Sequence, residues 1–416
     1  MFIPKNILEI IEKIEILGHE VYIVGGAVRD FLLGKEPIDY DLTTNALPNE
    51  IKAIFQNHEY IKVYDVGIKH GTLTLCNKGF CVEITTYRIE AGYLDMRHPD
   101  DVSFVTNIVE DLKRRDFTIN AICYRNKIYD PLNAQADIKN KIIKAIGDPD
   151  QRFKEDALRI IRGIRFAAVL GFDIEINTKI SIFKNKKLLE EISIERVREE
   201  FDKILLSNNS CYIFNIYYDV FFDFFSELGN IYNIDMNFNI LKLTPNNIVL
   251  KLVGFLYSII LNTNQFIEKI DYKFVINKIL KNFKYSSDVI HRVLLIIEYI
   301  NLEFKTDKVF IKKMLNKIGV ENLINLVTFK VCLSKIHKED DLLLQKVLEI
   351  INKIIVNNEV YSLKQLNING NDLVLLGIKE GPKIGYILNE VLQLIINEKL
   401  SNEKNIICNY IISTYL

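Results

Sequence analysis

At 416 residues the chain has room for two to four domains of roughly 100 to 200 residues each. With 49% apolar residues, only 18 glycines and 8 prolines, it has a globular, largely helical composition, which excludes a disordered adaptor. A formal net charge of −1 excludes a polycation, so any nucleic-acid partner must be held by a local basic surface. The pervasive Ile, Asn and Lys content reads as a coding bias without mechanistic content. Six cysteines (Cys76, Cys81, Cys123, Cys211, Cys332 and Cys408) lie mostly inside apolar runs without metal-binding spacing, which predicts reduced, structural thiols.

Met1 to Glu20 is amphipathic, with charges at Lys5, Glu9, Glu12 and Lys13, and lacks the unbroken apolar centre of a signal peptide. Longer apolar stretches are also interrupted by charge, so no membrane span is expected and the address is cytoplasmic. Short β-like runs follow at Val21 to Val24, Tyr40 to Thr43, Gly71 to Leu75 and Phe80 to Thr86. From Gln151 onward the period becomes helical, as in Phe153 to Leu170, Ser193 to Leu206, Ile248 to Ile260 and Val289 to Phe304. A small α/β head followed by helical modules fits this order, with Asn-rich breaks near Ser207 to Ser210 and Thr244 to Asn247.

The stretch from Glu20 to Thr44 is the most informative. A strand ends at Gly25-Gly26, continues into Ala27-Val28-Arg29-Asp30, and reaches a second strand with Asp39-Tyr40-Asp41. Adjacent glycines let the backbone approach a bulky anion, a helix start offers free N–H groups, and Arg29 can grip phosphate oxygens. Asp39 and Asp41 are two apart, so an extended strand projects both to one face, where they can share one or two divalent ions. Transfer between a hydroxyl and a triphosphate needs such ions, Mg2+ here, to activate the attacking oxygen and to neutralise pyrophosphate. Glu83, on the neighbouring strand, is the third acid of the expected cluster. Singly, a Gly pair is a turn and Asp-x-Asp a solvated loop. Joined in this order, they resemble the active-site strand pair of the DNA polymerase beta nucleotidyltransferase superfamily.

Downstream stand Lys113 to Ala121 (KRRDFTINA) and Glu155 to Phe166 (EDALRIIRGIRF). The succession GGAVRD, DYDLTT, RRDFTINA, EDALRIIR resembles the class II tRNA nucleotidyltransferase and bacterial poly(A) polymerase family. Asp156, Arg159 and Arg162 recur every three residues, hence along one side of a helix. Cytosine and adenine share an amino donor beside a ring-nitrogen acceptor, whereas uracil and guanine present an acceptor beside an N–H. Asp accepts and Arg donates, so a fixed Asp156 and Arg159 suit C and A and leave opposed groups against U and G. The plain alternative is a surface salt-bridge ladder. The resemblance implies base reading by Asp156 and Arg159, phosphate or base contacts by Arg162 and Arg165, and nucleotide or ribose contacts by Arg115 and Asp116.

The same resemblance makes Glu195 to Leu205 a neck motif that buttresses the nucleotide helix, with no catalytic part. It makes Leu366 to Leu373 and Gly377 to Gly385 a bacterial CCA-type tail, in which Lys379 and Lys383 meet RNA phosphates. It thus implies an α+β fold: a polymerase-beta-like head with a small mixed sheet (1–140), then an all-α neck (141–207), body (208–320) and tail (321–416). Two Mg2+ ions, CTP, ATP and the 3′ end and acceptor arm of tRNA are the implied cofactors and partners; no membrane and no protein partner is expected. Complete CCA addition, A-addition and poly(A) synthesis share these motifs. The segment Arg88 to Pro99 resembles the flexible loop of complete and A-adding enzymes, which disfavours CC-only addition, and the tail favours CCA. That loop also implies that the change from C to A involves movement of head against neck. A non-catalytic tRNA-binding protein is the reading from another class; Asp39, Asp41, Glu83 and Arg29 argue against it. No histidine precedes an Asp, which argues against an accessory phosphohydrolase.

Overall fold

The computed structural model describes residues 1–77, 79–92, 101–228, 237–263 and 272–416, and divides into two compact units, Met1–Phe224 and Phe225–Leu416. The first unit opens with α1 (Lys5–Ile16), whose Ile7, Ile10 and Ile14 recur on one buried face. β1 (Val21–Val24) stops at Gly25, whose φ of 75° is a conformation that glycine enters without strain, and the chain turns into α2 (Gly26–Leu32). β2 (Asp41–Thr44) pairs antiparallel with β1, and α3 (Pro48–Phe55) follows. β3 (Lys62–Tyr64), β4 (Thr72–Asn77) and β5 (Phe80–Thr86) form an antiparallel meander. β5 lies parallel to β2, which makes Glu83 the register partner of Asp41.

β6 (Arg88–Ala91) and β7 (Asp101–Phe104) make a separate antiparallel pair, so the expected loop lies largely outside the described residues, at 93–100. After α4 (Ile108–Lys113), β8 (Cys123–Arg125) and β9 (Lys127–Tyr129) complete a seven-stranded sheet ordered β3-β4-β5-β2-β1-β8-β9 among the described residues. One parallel pair among antiparallel ones makes the sheet mixed. Its one face carries Ile23, Leu42, Leu73, Leu75, Val82 and Ile84 against α1 and α3. Strand alternation therefore turns Asp41 and Glu83 to the other face.

The cysteine expectation needs correction. Cys76 and Cys81 form a disulfide, because the β4–β5 hairpin makes them cross-strand partners with Cα atoms 4.1 Å apart. Their linear spacing carried no such signal. Cys123, Cys211, Cys332 and Cys408 are thiols outside this disulfide.

α5 (Ala134–Asn140), β10 (Ile142–Ile143), α6 (Pro149–Glu155) and α7 (Leu158–Leu170) come next. β11 (Asp173–Ile174) pairs with β10 and leads to α8 (Ile176–Asn185), α9 (Ile194–Leu205) and α10 (Ser210–Phe221). Phe153 to Leu170 is thus not one helix. Asp156 has extended backbone angles (φ −142°, ψ 104°), and its carboxylate accepts from Leu158 N at 3.1 Å; this local bond competes with continuation of α6 and opens α7. Gly163 lets α7 approach the head closely, since a Cβ there would stand 2.9 Å from Phe117 Cζ.

The second unit is helical among its described residues: α11 (Ile240–Leu243), α12 (Ile248–Thr263), α13 (Tyr272–Asn282), α14 (Ser287–Tyr299), α15 (Lys308–Ile318), α16 (Val320–His337), α17 (Leu342–Val356), α18 (Gly370–Leu375), α19 (Pro382–Ile396) and α20 (Lys404–Tyr415). α14 begins two residues before the expected Val289, where the Ser286 side chain accepts from Val289 N, and it ends at Tyr299, not Phe304. Phe225, Phe238, Phe255 and Phe283 stack in its first core, and Ile387, Val391, Leu392, Ile407 and Ile411 fill a second one toward the C-terminus. Among the described residues no helix is long and apolar enough to cross a membrane.

Candidate active site

A cavity of about 570 Å³ opens in the first unit, walled by the β1–α2 turn, the start of β2, the segment after α4, and helices α7 and α9. Gly25, Gly26 and Arg29 come from the turn, Asp39 from the segment before β2 and Asp41 from its first position. Arg115, Asp116, Asp156, Arg159, Arg162 and Arg165 also line it. The residues singled out in the first unit therefore meet in one place, except Glu83, which stands beside Asp41 in the sheet without lining the cavity.

Asp39 does not share a strand with Asp41: it lies in the irregular segment before β2, and both carboxylates still face the cavity. Both residues are exposed. Burial of its surroundings raises the Asp41 pKa against the pull of Arg115, and the charges of Glu83 and Asp39 raise it further. A pair of carboxylates under mutual repulsion is a donor set that a hard divalent cation stabilises. The two cavity-lining carboxylates are hard oxygen donors of the kind Mg2+ takes, a cation that needs few carboxylates and completes its shell with phosphate and water; among the described residues no three His, Cys, Asp or Glu side chains gather into one group.

The arginines are held by hydrogen bonds that fix their direction. Arg29 donates from Nε to Asp30 at 2.9 Å and from a terminal nitrogen to Asn120 Oδ1 at 2.7 Å. Asn120 Nδ2 donates to Asp116 Oδ1 at 3.0 Å, and Arg162 donates twice to Asp116 Oδ2, at 2.9 and 2.7 Å. Burial alone would raise the Asp116 pKa, but the Arg162 charge and the Asn120 hydrogen bond hold it well below the usual carboxylate range. Arg165 donates to Glu200 on α9 at 2.8 Å and lies 3.6 Å over the Phe166 ring, which Arg29 and Arg162 also approach, at 5.4 and 5.5 Å. Arg115 reaches the buried Asp111, and its own Nε is buried with no hydrogen-bond partner among the described residues.

Asp156 and Arg159 come together at the break between α6 and α7. Arg159 donates to Glu155 at 2.5 Å and to the Arg114 carbonyl at 3.1 Å. Asp156 Oδ2 accepts from Arg196 at 3.2 Å. Sequence reasoning missed five cavity residues, Arg114, Asn120, Leu158, Phe166 and Arg196. The first four lie inside motifs already quoted; Arg196 belongs to the neck helix, which was expected only to support. Asp111, buried under Arg114, Arg115 and Thr43, was missed as well. Lys379 and Lys383 belong to the second unit, where both are exposed; Lys383 stands 5.8 Å over the Tyr415 ring at the start of α19.

A mixed sheet that presents paired carboxylates beside an arginine-walled cavity, with helices after it, is the architecture of a nucleotidyltransferase. Residues 21–144 match the family described as the poly A polymerase head domain, 171–218 the probable RNA and SrmB-binding site of polymerase A, and 266–411 the putative tRNA nucleotidyltransferase domain 2. The CCA-adding enzyme of Lactobacillus helveticus is 35% identical over 97% of this chain and 96% of its own. That of Ligilactobacillus salivarius is also 35% identical, over 97% and 95%. The crystal structure of the Bacillus stearothermophilus CCA-adding enzyme in complex with CTP superposes with a TM-score of 0.76 at 26% identity, covering 98% of this chain and 96% of that one. The chain belongs to the CCA-adding enzyme family.

Proposed function

We infer that the protein adds C, C and A to the 3′ end of tRNA from CTP and ATP, without a nucleic-acid template, releasing pyrophosphate at each addition. The observation that carries this reading is the single cavity that joins Asp39 and Asp41 to an arginine wall and to Asp156. Likeness over nearly the full length of the L. helveticus enzyme supports it.

Asp39 and Asp41, with Glu83 adjacent, would hold two Mg2+ ions, which supply activation of the attacking hydroxyl and charge neutralisation on the leaving pyrophosphate. Arg29 and the Gly25-Gly26 backbone take the triphosphate, and Arg115 and Asp116 flank the ribose. Arg162 and Arg165 face the phosphates or base. Asp156 offers an acceptor and Arg159 a donor to the base edge, a pattern that C and A satisfy and U and G oppose. Holding these groups in fixed directions before substrate arrives is what lets a protein surface replace a template strand. The second unit offers Lys379 and Lys383 to RNA phosphates. A cytoplasmic address goes with this substrate.

The test is incorporation of labelled CTP and ATP, with magnesium, into tRNA transcripts that lack CCA or end in CC. Two C residues and then one A on the first transcript are expected. A alone, and only on the CC-ending transcript, would replace the reading with a dedicated A-adding enzyme, and long A tracts with a poly(A) polymerase.

A further inference from the structure

The chain of hydrogen bonds from Arg29 through Asn120 and Asp116 to Arg162 crosses three separate parts of the fold: α2, the segment after α4, and α7. Its middle member has a chemical requirement that few side chains meet. A guanidinium only donates and an ionised carboxylate only accepts, so a side chain standing between them must accept on one side and donate on the other. The Asn120 amide does both, with Oδ1 toward Arg29 and Nδ2 toward Asp116. Asp116 sets which way the amide is turned, because its Oδ1 also accepts the Phe117 N–H at 2.8 Å and its Oδ2 is held by Arg162. Asn120 is 8% exposed, so no bulk water replaces it in this position.

We propose that Asn120 is a positioning residue for nucleotide binding: it aims Arg29 at the triphosphate and ties that aim, through Asp116, to Arg162 on α7. This rests on the reading that Arg29 takes the triphosphate. An amide is also the right neutral partner for that task. A carboxylate at 120 would keep the shape, but it would compete with phosphate for the Arg29 charge and face Asp116 as a second anion 3.0 Å away. Because the chain ends on α7, occupation of the triphosphate site and the seating of the helix that carries Arg159 are linked through neutral and ionic hydrogen bonds alone.

The experiment measures KM and kcat for CTP and ATP, KM for tRNA, and inhibition by inorganic tripolyphosphate, which lacks ribose and base. The proteins compared are the full chain and its Asn120→Ala, Asn120→Asp, Arg29→Ala and Asn120→Ala/Arg29→Ala variants. Removing a hydrogen bond to a charged group is expected to raise the nucleotide KM and the tripolyphosphate inhibition constant about tenfold in Asn120→Ala, with kcat and the tRNA KM changed by less than about threefold. Asn120→Asp, isosteric and therefore informative even where the alanine variant fails to fold, is expected to lose more than tenfold, since it cancels positive charge as well. Adding Asn120→Ala to Arg29→Ala is expected to change neither constant further. If Arg29→Ala weakens tripolyphosphate but neither Asn120 variant does, the positioning role is overturned and the triphosphate role of Arg29 stands. If Arg29→Ala itself leaves tripolyphosphate and nucleotide constants unchanged, the reading beneath the proposal falls. Equal losses in the tRNA KM would mark Asn120 as a general structural residue and overturn the proposal too.

Discussion

Asp41 begins β2 with its carboxylate open to the cavity while burial around it, and after that Glu83 and Asp39, raise its proton affinity against Arg115. Exchange to Asn removes the charge and keeps the shape. Asp41→Asn is expected to lower incorporation of labelled CTP and ATP on the order of a thousandfold while equilibrium CTP binding without metal stays within severalfold. Parent-level incorporation would remove Asp41 from catalysis. Most of the cavity was legible in the sequence at this scale, because glycines, paired acids and arginines in a fixed order carry their chemistry with them. Asn120 was not, since its work depends on Arg29, 91 positions away, and on the direction of one amide. Arg196 was hidden for a similar reason: a charged residue on an amphipathic helix looks like a solvated face until its neighbour, Asp156, is placed.

Strand and turn patterns located β1 and β5 to the residue, and β2 and β4 within one or two, because alternation and glycine punctuation are local signals. The break at Asp156 escaped because the apolar period runs on across it, while the interruption comes from one side chain folding back on Leu158 N. Gly163 is the matching feature within α7. A methyl group there would raise intrinsic helix propensity by about 1 kcal/mol, but it would press on Phe117, which is fully buried against Phe166. The clash is the larger effect, and Gly163→Ala is expected to lower stability by about 1 kcal/mol net in urea denaturation; a gain would show that Phe117 yields freely. The α6–α8 contact predicts a pH effect. Asp150 accepts from Lys184 first, and from Ser181 and Asn185, which together depress its pKa to about 2. A depressed carboxylate stabilises the fold above its unfolded value of about 3.9, and that contribution fades as pH falls toward 2. The difference in denaturation midpoint between the parent and Asp150→Asn should be widest above pH 5 and shrink by pH 3. A difference constant with pH would mean that packing, not charge, is what the Asn variant loses.

Over the whole molecule, the sequence spoke clearly for the first unit and faintly for the second. The reason is physical: holding a triphosphate needs particular atoms at particular spacings, whereas a helical scaffold that meets a nucleic-acid backbone needs only apolar faces inside and scattered cations outside. Phe225, Phe255 and Phe283 could be exchanged for other large apolar residues without leaving a trace in any motif. The lysines of the second unit should accordingly act on RNA alone. Lys379→Ala/Lys383→Ala is expected to raise the tRNA KM severalfold, to reduce the salt dependence of tRNA binding by one to two ion equivalents, and to leave the CTP KM unchanged. A change in CTP KM with no change in salt slope would move these residues out of the RNA-binding role. The Asp156 carboxylate, finally, would tie fidelity to heat tolerance under the proposed base-reading role. One of its oxygens starts α7 and the other holds Arg196, and the same residue lines the cavity where we propose that it meets the base. Populations selected for acceptance of UTP through changes at this position should therefore carry a lowered melting temperature as a by-product, so that a lineage cannot drift toward a looser alphabet without first becoming fragile.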